Sequence, residues 1–284
     1  MVTVKAYAKI NLAINVFDKR DDGYHDVDMV MIPLELHDII ELDPLPNGYE
    51  SYITSDDISL PTDESNLSYK AFLKLRKEFN MNKNFMIHIY KRIPMSAGLG
   101  GGSADAAAVF NAITKMCKIP LSYEEIIKVT KTIGGDVPFC IFNRPARCKG
   151  IGEELEFFTM KRKYHVLLIK PKQGVITKEA YNGFDDLTIK PELSNIDALI
   201  EALKNDDQEV IAKEMKNGLQ ESAIKLVPEI QSVIDTLKND GLNMVMMSGS
   251  GSTVFALSQD RNIIQRAAAK FDKNNYKVVI TKTL

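Results

Sequence analysis

The sequence predicts an α+β protein built from two domains. Its 284 residues exceed the usual length of one domain. A composition of 45% hydrophobic and 26% charged residues is typical of a folded chain with a substantial core. Segments with strand and helix patterns follow one another without regular alternation, which favours an α+β sandwich. We interpret the short apolar strand after Lys161-Arg162-Lys163 as the start of a second unit, so the domains are predicted at 1–160 and 161–284.

The N-terminal segment is predicted to be mostly strand, because residues with high β propensity alternate along it. The predicted strands are 2–16 with a break near 9–11, then 27–43, and an edge strand within 49–61. The segment 18–23 between the first two strands is rich in Asp and ends in Gly, which is typical of a turn.

Helices dominate the next segment. Apolar residues recur every four positions from Leu67 to Phe79 and predict a helix over 66–80. The elements that follow are a strand over 85–90, an alanine-rich helix over 106–112, a helix over 124–132 that begins with a capping sequence at Ser122, and a tight turn over 134–138.

The C-terminal half mixes short strands with longer helices. The predicted strands are 164–169, 244–247, 254–257 and 277–281. The predicted helices are 193–205, 209–217, 228–239 and 260–272. A turn of alternating serine and glycine, 248–252, follows the second of these strands; we call it the serine-glycine turn.

A glycine-rich segment, 94–104, precedes the alanine-rich helix, and we call it the glycine loop. Four of its residues are Gly, and glycine lets successive backbone N–H groups converge because no Cβ blocks positive φ. Such a loop running into a helix N-terminus favours anion binding. The segment is neither a Walker A loop nor the spaced dinucleotide fingerprint. Phosphate binding and a mere connector remain open on this evidence.

Lys9 and Asp136 are candidate catalytic residues. Lys9 lies among apolar residues, where an unpaired buried ammonium is costly, although a lysine at a strand edge can extend its ammonium to solvent. Asp136 lies in a glycine-rich turn, where aspartate is commonly a turn former. Phosphoryl transfer needs a phosphate cradle, a carboxylate and a cation. The spacing does not show that the two residues meet.

Further candidates are Asn11, Tyr24 and His25. Asn11 is two residues from Lys9, so an extended chain puts both on one face. Tyr24 and His25 follow a glycine turn, where an aromatic pair serves either as local packing or as a platform for a base or sugar. The serine-glycine turn lies far along the chain from the glycine loop. Two such segments in one chain favour a shared polyanion site.

The composition and net charge of the chain disfavour several classes of partner. A net charge of −2 disfavours a nucleic acid or an anionic membrane surface as partner. No apolar run approaches the roughly 20 residues of a membrane span, and no leader pattern is present. The three cysteines lack metal-ligand spacing. We therefore expect a cytoplasmic protein that acts on a small molecule.

The motifs together resemble the GHMP kinase superfamily, and among its members those that act on a cytidyl-diphosphate substrate. The resemblance covers residues 5 to about 255. The motifs that carry it, in chain order, are Ala8-Lys9-Ile10-Asn11-Leu12, Asp22-Gly23-Tyr24-His25, Pro94-Met95 with Gly98-Leu99-Gly100-Gly101-Gly102-Ser103, Gly135-Asp136-Val137-Pro138, and Ser248-Gly249-Ser250-Gly251-Ser252.

The resemblance implies a ribosomal-protein-S5-like N-terminal domain and a ferredoxin-like C-terminal domain. It implies transfer of the γ-phosphate of ATP to the 2-hydroxyl of 4-diphosphocytidyl-2-C-methyl-D-erythritol, a step of non-mevalonate isoprenoid biosynthesis. Mg²⁺ is expected on chemical grounds, because it neutralises the β- and γ-phosphates. A monomer and a homodimer both remain open.

The resemblance also implies roles for individual residues. Asp136 would be the base and Lys9 its charged partner. The ATP contacts would be Asn66, Lys91, Pro94, Met95, Ser96, Ala97, Gly98, Leu99, Gly100, Gly101, Gly102, Ser103 and Ala104, with Ser103 also the metal ligand. The substrate contacts would be Asn11, Tyr24, His25, Thr177, Tyr181, Gly249 and Ser250. Ser96 and Ala104 depart from the residues expected in this kinase, which are Gly and Ser.

Two alternatives stay open at this point. The chain resembles, more distantly, GHMP kinases that act on mevalonate, homoserine or a sugar. A catalytically inactive member that only binds a metabolite is the second alternative, and the presence of both Lys9 and Asp136 speaks against it.

Overall fold

The computed structural model describes all 284 residues, which form ten strands and ten helices. The strands are β1 Val2–Lys19, β2 His25–Leu45, β3 Tyr52–Ser55, β4 Asn84–Tyr90, β5 Ala146–Lys149, β6 Glu154–Phe157, β7 His165–Pro171, β8 Val245–Met247, β9 Val254–Ser258 and β10 Tyr276–Lys282. The helices are α1 Leu67–Glu78, α2 Gly101–Met116, α3 Tyr123–Thr130, α4 Val137–Phe142, α5 Thr177–Asp185, α6 Ile196–Asn205, α7 Gln208–Glu214, α8 Gln220–Leu226, α9 Glu229–Asn239 and α10 Arg261–Ala268.

The chain divides into two compact units, each assembled from separate segments. Unit one comprises 1–8, 36–93 and 100–143. Unit two comprises 9–35, 94–99 and 144–284. The domain boundary at residue 160 stays a prediction.

Unit one packs helices beside a small group of strands. The C-terminal part of β2 pairs antiparallel with β4, and β3 pairs parallel with the other edge of β4. Helix α1 packs on α2, and α2 packs on α4. The buried faces of α1 and α2 are apolar, with Phe72 and Phe110 among the largest fully buried side chains. The predicted helix, edge strand and central strand of this region are confirmed.

Unit two contains a four-stranded antiparallel sheet in the order β10-β7-β9-β8. Its central strands are apolar on both faces, since Val166 to Ile169 and Val254 to Leu257 are buried. Helices α9 and α10 pack against this sheet. In the same unit, β5 pairs with the N-terminal part of β2 and with β6. The four strands and four helices predicted for the C-terminal half are confirmed with small shifts of their ends.

Three predicted elements are wrong in detail. Strand β1 continues through 9–11 without a break, because the residues from Lys9 to Val16 are all buried and the strand keeps its core contacts. Helix α2 begins at Gly101, so two of the three consecutive glycines lie in its first turn rather than in a flexible loop. The turn at 134–138 leads directly into α4, where Pro138 fits because the first helical turn has no partner for its missing N–H.

Five short elements have no counterpart in the sequence prediction. They are β5, β6, α4, α5 and α8, each of four to nine residues, where too few residues are present for a hydrophobic periodicity to be recognised. None of the ten helices is both long and apolar enough to cross a bilayer.

Candidate active site

The serine-glycine turn and residues 94–99 of the glycine loop interlock within unit two. The Ser248 hydroxyl donates to the carbonyl oxygen of Gly98 over 3.0 Å. A Cβ on Gly98 would lie 2.0 Å from the carbonyl oxygen of Ser248, and one on Gly249 would lie 2.7 Å from that of Gly98. Both glycines have positive φ, +70° and +57°. The two segments are thus in contact, and only glycine fits at these two positions. Their sharing of a polyanion site stays a prediction.

The serine-glycine turn is also held from its other side. Asn217 Nδ2 donates to the carbonyl oxygens of Met247 and Gly249, each over 2.9 Å. The hydroxyls of Thr177 and Ser250 lie 3.0 Å apart, so two predicted substrate residues are neighbours. Asn217 was not predicted; it is buried between α7 and α8, and nothing in its local sequence marks it.

Lys9 and Asn11 lie side by side on β1, as their spacing predicts. The Lys9 ammonium donates to Asn11 Oδ1 over 2.6 Å, and Asn11 Nδ2 lies 3.3 Å from the sulfur of Met29. Only 4% of Lys9 is exposed, which excludes an ammonium extended to solvent. The Lys9 N–H donates to the carbonyl oxygen of Leu99 over 3.0 Å. Strand β1 is thereby bonded to the glycine loop.

His25 is buried at the start of β2, whereas its neighbour Tyr24 is 61% exposed. His25 Nε2 lies 2.7 Å from Asp185 Oδ1. The ring stacks on Tyr181, with centroids 5.0 Å apart and planes 28° apart. Tyr181, expected to close over a base, thus lies against His25. Sequence reasoning missed Asp185 because it missed α5; the signal was the apolar spacing of Ala180 and Phe184 on one helical face.

In unit one, the last four residues of the glycine loop, 101–104, form the first turn of α2. Gly100 precedes the helix with φ +68° and provides no side-chain cap, so N–H groups of the first turn have no side-chain acceptor. The Ser103 hydroxyl in that turn makes no hydrogen bond within the protein. A helix N-terminus of this kind attracts negative charge through its N–H groups and its dipole.

Asn66 and Lys91, both predicted to contact ATP, have partners inside unit one. Asn66 caps α1 by accepting from Ser68 N, and its amide donates to the Pro61 carbonyl oxygen over 2.7 Å. The Lys91 ammonium donates to Asp38 Oδ2 over 2.5 Å and to Asp105 Oδ2 over 2.8 Å. Their roles toward a nucleotide stay predictions, and in the structure both side chains hold the protein's own segments together.

The surroundings of Lys91 and Asp105 shift the pKa of both groups. Although burial alone would lower the pKa of Lys91, Asp105 and Asp38 raise it above its ordinary value. Burial raises the pKa of Asp105 to about 8; Lys91 opposes this shift, and the negative charge of Asp38 adds to it. At neutral pH Lys91 is therefore an ammonium, and the Asp105 carboxyl mostly retains its proton. Neither Asp38 nor Asp105 was predicted, since no local pattern pairs residues so far apart.

This cluster predicts a pH dependence of stability. The ordinary pKa of an unfolded aspartate is about 3.9. Between that value and about 8, the folded protein binds one more proton at Asp105 than the unfolded chain does, so the free energy of unfolding falls as pH rises. Asp105→Asn removes the titrating group. Urea unfolding across this interval is expected to show a shallower slope in the variant, and equal slopes would refute the assignment.

Asp136 occupies the N-cap position of α4 with φ −82° and ψ −11°, and its side chain makes no capping bond to that helix. Its carbonyl oxygen accepts from Cys140 N over 3.1 Å. The Asp136 carboxylate therefore does not cap the N-terminus of α4. Lys9 belongs to unit two and Asp136 to unit one.

The structure contains no group of three or more His, Cys, Asp or Glu side chains able to hold a metal ion. A divalent cation at this site would therefore need ligands other than a protein carboxylate cage. The unbonded hydroxyl of Ser103, on the first turn of α2, is the one predicted metal ligand.

Comparison with known proteins identifies the family. The model described as GHMP kinases N terminal domain matches residues 66–144, and the one described as GHMP kinases C terminal matches 199–278. A 4-diphosphocytidyl-2-C-methyl-D-erythritol kinase of Clostridium perfringens is 39% identical over 284 residues, covering 99% of this chain and 98% of the relative. The chain belongs to the GHMP kinase family. GHMP kinases use ATP as phosphate donor, so the predicted nucleotide is confirmed.

One further relative and two solved structures support the same family and fold for this GHMP kinase. A protein of the same name from Exiguobacterium sibiricum is 38% identical over 265 residues, covering 93% of this chain and 92% of the relative. A crystal structure of 4-(cytidine 5'-diphospho)-2C-methyl-D-erythritol kinase superposes with a TM-score of 0.80 at 28% identity, covering 99% of this chain and 98% of that one. The predicted two-domain α+β GHMP kinase fold is confirmed. A homoserine kinase from Cytophaga hutchinsonii, at TM-score 0.75 and 18% identity over 99% of this chain and 94% of that one, shares the fold.

Proposed function

We propose that this GHMP kinase transfers the γ-phosphoryl group of ATP to the 2-hydroxyl of 4-diphosphocytidyl-2-C-methyl-D-erythritol, within non-mevalonate isoprenoid biosynthesis. The observation that carries the proposal is similarity over nearly the whole chain, at 35–39% identity, to kinases named for this substrate. An inactive binding protein is disfavoured because Lys9 and Asp136, the two residues with catalytic chemistry, are both present.

The proposed reaction is an in-line displacement at the γ-phosphorus. The substrate hydroxyl oxygen forms a bond to phosphorus, the bond from phosphorus to the bridging β–γ oxygen breaks, and ADP leaves. Asp136 takes the proton of the hydroxyl, and Lys9 steadies negative charge as it moves. The N–H groups of the glycine loop and of the first turn of α2 supply fixed dipoles for the phosphates. These dipoles need no reorganisation during the reaction.

We propose that Mg²⁺ accompanies ATP. The donor set fits a cation held mainly by phosphate oxygens and water, as Mg²⁺ usually is, with the Ser103 hydroxyl as protein ligand. When bound, the ion neutralises charge on the β- and γ-phosphates. The protein's own contribution is to hold Ser103 on a helix whose N–H groups lack side-chain acceptors.

At the acceptor end, we propose that Tyr24 and His25 hold the cytosine. Tyr24 is exposed and presents an aromatic face, whereas His25 is buried and fixed in orientation. Asn11, bonded to Lys9, would orient the methylerythritol end. Thr177 and Ser250, which lie together beside the serine-glycine turn, would close the site with Gly249. A cytoplasmic location stays a prediction.

The test is an ADP-release assay with a panel of acceptors. The cytidyl substrate is expected to be used with the highest kcat/KM, and mevalonate and homoserine are expected to be poor acceptors. Mass spectrometry should find one added phosphate on the cytidyl substrate. A preference for an acceptor without cytidine would contradict the proposal.

Replacing Tyr24 by Ala tests the base platform. Stacking of a base on an aromatic ring is worth about 1–3 kcal/mol, so KM for the cytidyl substrate is expected to rise by about 5- to 150-fold. KM for ATP is expected to change little. Tyr49→Ala is a matched control, because Tyr49 is also exposed, at 63% against 61%. Equal losses for both ligands would remove Tyr24 from the cytosine pocket.

A further inference from the structure

The contact between His25 and Asp185 has no role in the reaction as proposed above. His25 Nε2 and Asp185 Oδ1 are 2.7 Å apart, and only 4% of the histidine side chain is exposed. The second oxygen of Asp185 lies 3.3 Å from the ammonium of Lys19. Although partial burial alone would raise the pKa of Asp185, His25 and Lys19 together hold it below its ordinary value. An ionised carboxylate only accepts hydrogen bonds, so the proton at this contact is on Nε2.

Helix α5 fixes the orientation of the imidazole from several sides. Tyr181 stacks on its face, and Phe184 meets it edge-on with centroids 6.2 Å apart and planes at 86°. Asp185 holds the Nε2 end. Phe184 and Asp185 follow Tyr181 by three and four positions, so both lie beside Tyr181 on the helix surface and all three contact one ring. These contacts oppose rotation of the imidazole, including the ring flip that would exchange the positions of Nδ1 and Nε2.

The other ring nitrogen is left for a ligand. Nδ1 of His25 makes no hydrogen bond in the structure, and in a neutral imidazole protonated at Nε2 it is an acceptor. Cytosine presents an exocyclic amino donor at the position where uracil presents a carbonyl oxygen. An acceptor at that position matches cytosine and is mismatched to uracil. The preference for cytosine over uracil therefore depends on whether Nε2 or Nδ1 of His25 carries the proton.

We propose that Asp185 is a positioning residue that sets base specificity. By holding the Nε2–H of His25, it presents Nδ1 as an acceptor for the amino group of cytosine and against the carbonyl oxygen of uracil. Asp185 acts through His25 and does not itself contact the base. The proposal rests on the cytidyl substrate proposed above.

The test compares Asp185→Ala with Asp186→Ala, which removes the neighbouring exposed carboxylate, one without an ion-pair partner. For each protein, kcat/KM is measured with the cytidyl substrate and with its uridyl counterpart. In Asp185→Ala the preference for the cytidyl form is expected to fall at least about tenfold, the effect of one matched base contact. In Asp186→Ala the preference is expected to equal that of the unmodified protein. An equal loss for both substrates in Asp185→Ala would make Asp185 merely structural and overturn the proposal.

A second measurement needs no substrate. ¹⁵N NMR of the free protein, with the His25 signals assigned through His25→Gln, reports which ring nitrogen carries the proton. The unmodified protein is expected to show protonated Nε2 and unprotonated Nδ1, and Asp185→Ala is expected to show a mixture. A proton on Nδ1 in the unmodified protein would overturn the proposal. Should neither pyrimidine substrate be phosphorylated, the proposed function fails, and this spectrum still decides whether Asp185 fixes the ring.

Discussion

Asp136→Asn is expected to lower kcat by about 10²- to 10⁴-fold, the usual contribution of a general base. The amide is close in size to the carboxylate but cannot take the proton of the acceptor hydroxyl. Because the Asp136 side chain does not cap α4, the substitution is expected to leave that helix in place. Steady-state kinetics measure the loss of kcat, and titration with ATP by calorimetry shows whether nucleotide binding is preserved.

The matched control for this variant is Glu64→Gln, which removes an exposed carboxylate of the same unit. It is expected to turn over at the unmodified rate. ATP affinity is expected to be similar in all three proteins. If Asp136→Asn retains turnover within about tenfold of the unmodified enzyme, Asp136 is not the base, since even the weakest general base contributes more.

Gly98→Ala is expected to be the most damaging substitution in the glycine loop. The added Cβ would lie 2.0 Å from the carbonyl oxygen of Ser248, and the backbone φ of +70° is unfavourable for alanine. Left-handed backbone costs alanine about 1–2 kcal/mol. Relieving the overlap costs about 1–3 kcal/mol more. The segments must separate, so a large rise in KM for ATP is expected together with the loss of stability.

Gly241→Ala separates these two contributions. Gly241 has φ +83° and nothing within 4 Å of an added Cβ. Its replacement by alanine therefore measures the stability cost of a positive φ without any steric overlap. Thermal and urea unfolding should show a smaller loss for Gly241→Ala than for Gly98→Ala, with unchanged kinetics. Equal destabilisation by the two variants would show that the interlock of the two segments adds nothing.

The parts of the site that could be predicted are those written in short stretches of sequence. The glycine loop and the serine-glycine turn stand out because closely spaced glycines have few structural uses. Lys9 and Asn11 follow from the two-residue repeat of a strand, and the structure confirms their contact. The predicted break in β1 near 9–11 is wrong, because Lys9 and Asn11 are buried within a continuous strand. Their mutual hydrogen bond lets both stay buried.

The rest of the site depends on residues that meet only after folding. Asp185 reaches His25 from 160 positions along the chain, and Asp38 reaches Lys91 from 53. Asn217 donates to the carbonyl oxygens of Met247 and Gly249, 30 and 32 positions further along the chain. Each of these side chains has an ordinary local sequence, and its role comes from tertiary packing. Sequence patterns cannot predict such pairs, because no periodicity links the partners.

The most direct test of the central claim is the structure of the product. After incubation with ATP and the cytidyl substrate, ¹H-coupled ³¹P NMR should show one new phosphomonoester. The 2-position carries the methyl branch and no hydrogen, so a phosphate there has no coupling to a proton on its own carbon, and this is the expected result. A phosphorus signal split by such a proton would place the phosphate on another hydroxyl and contradict the account.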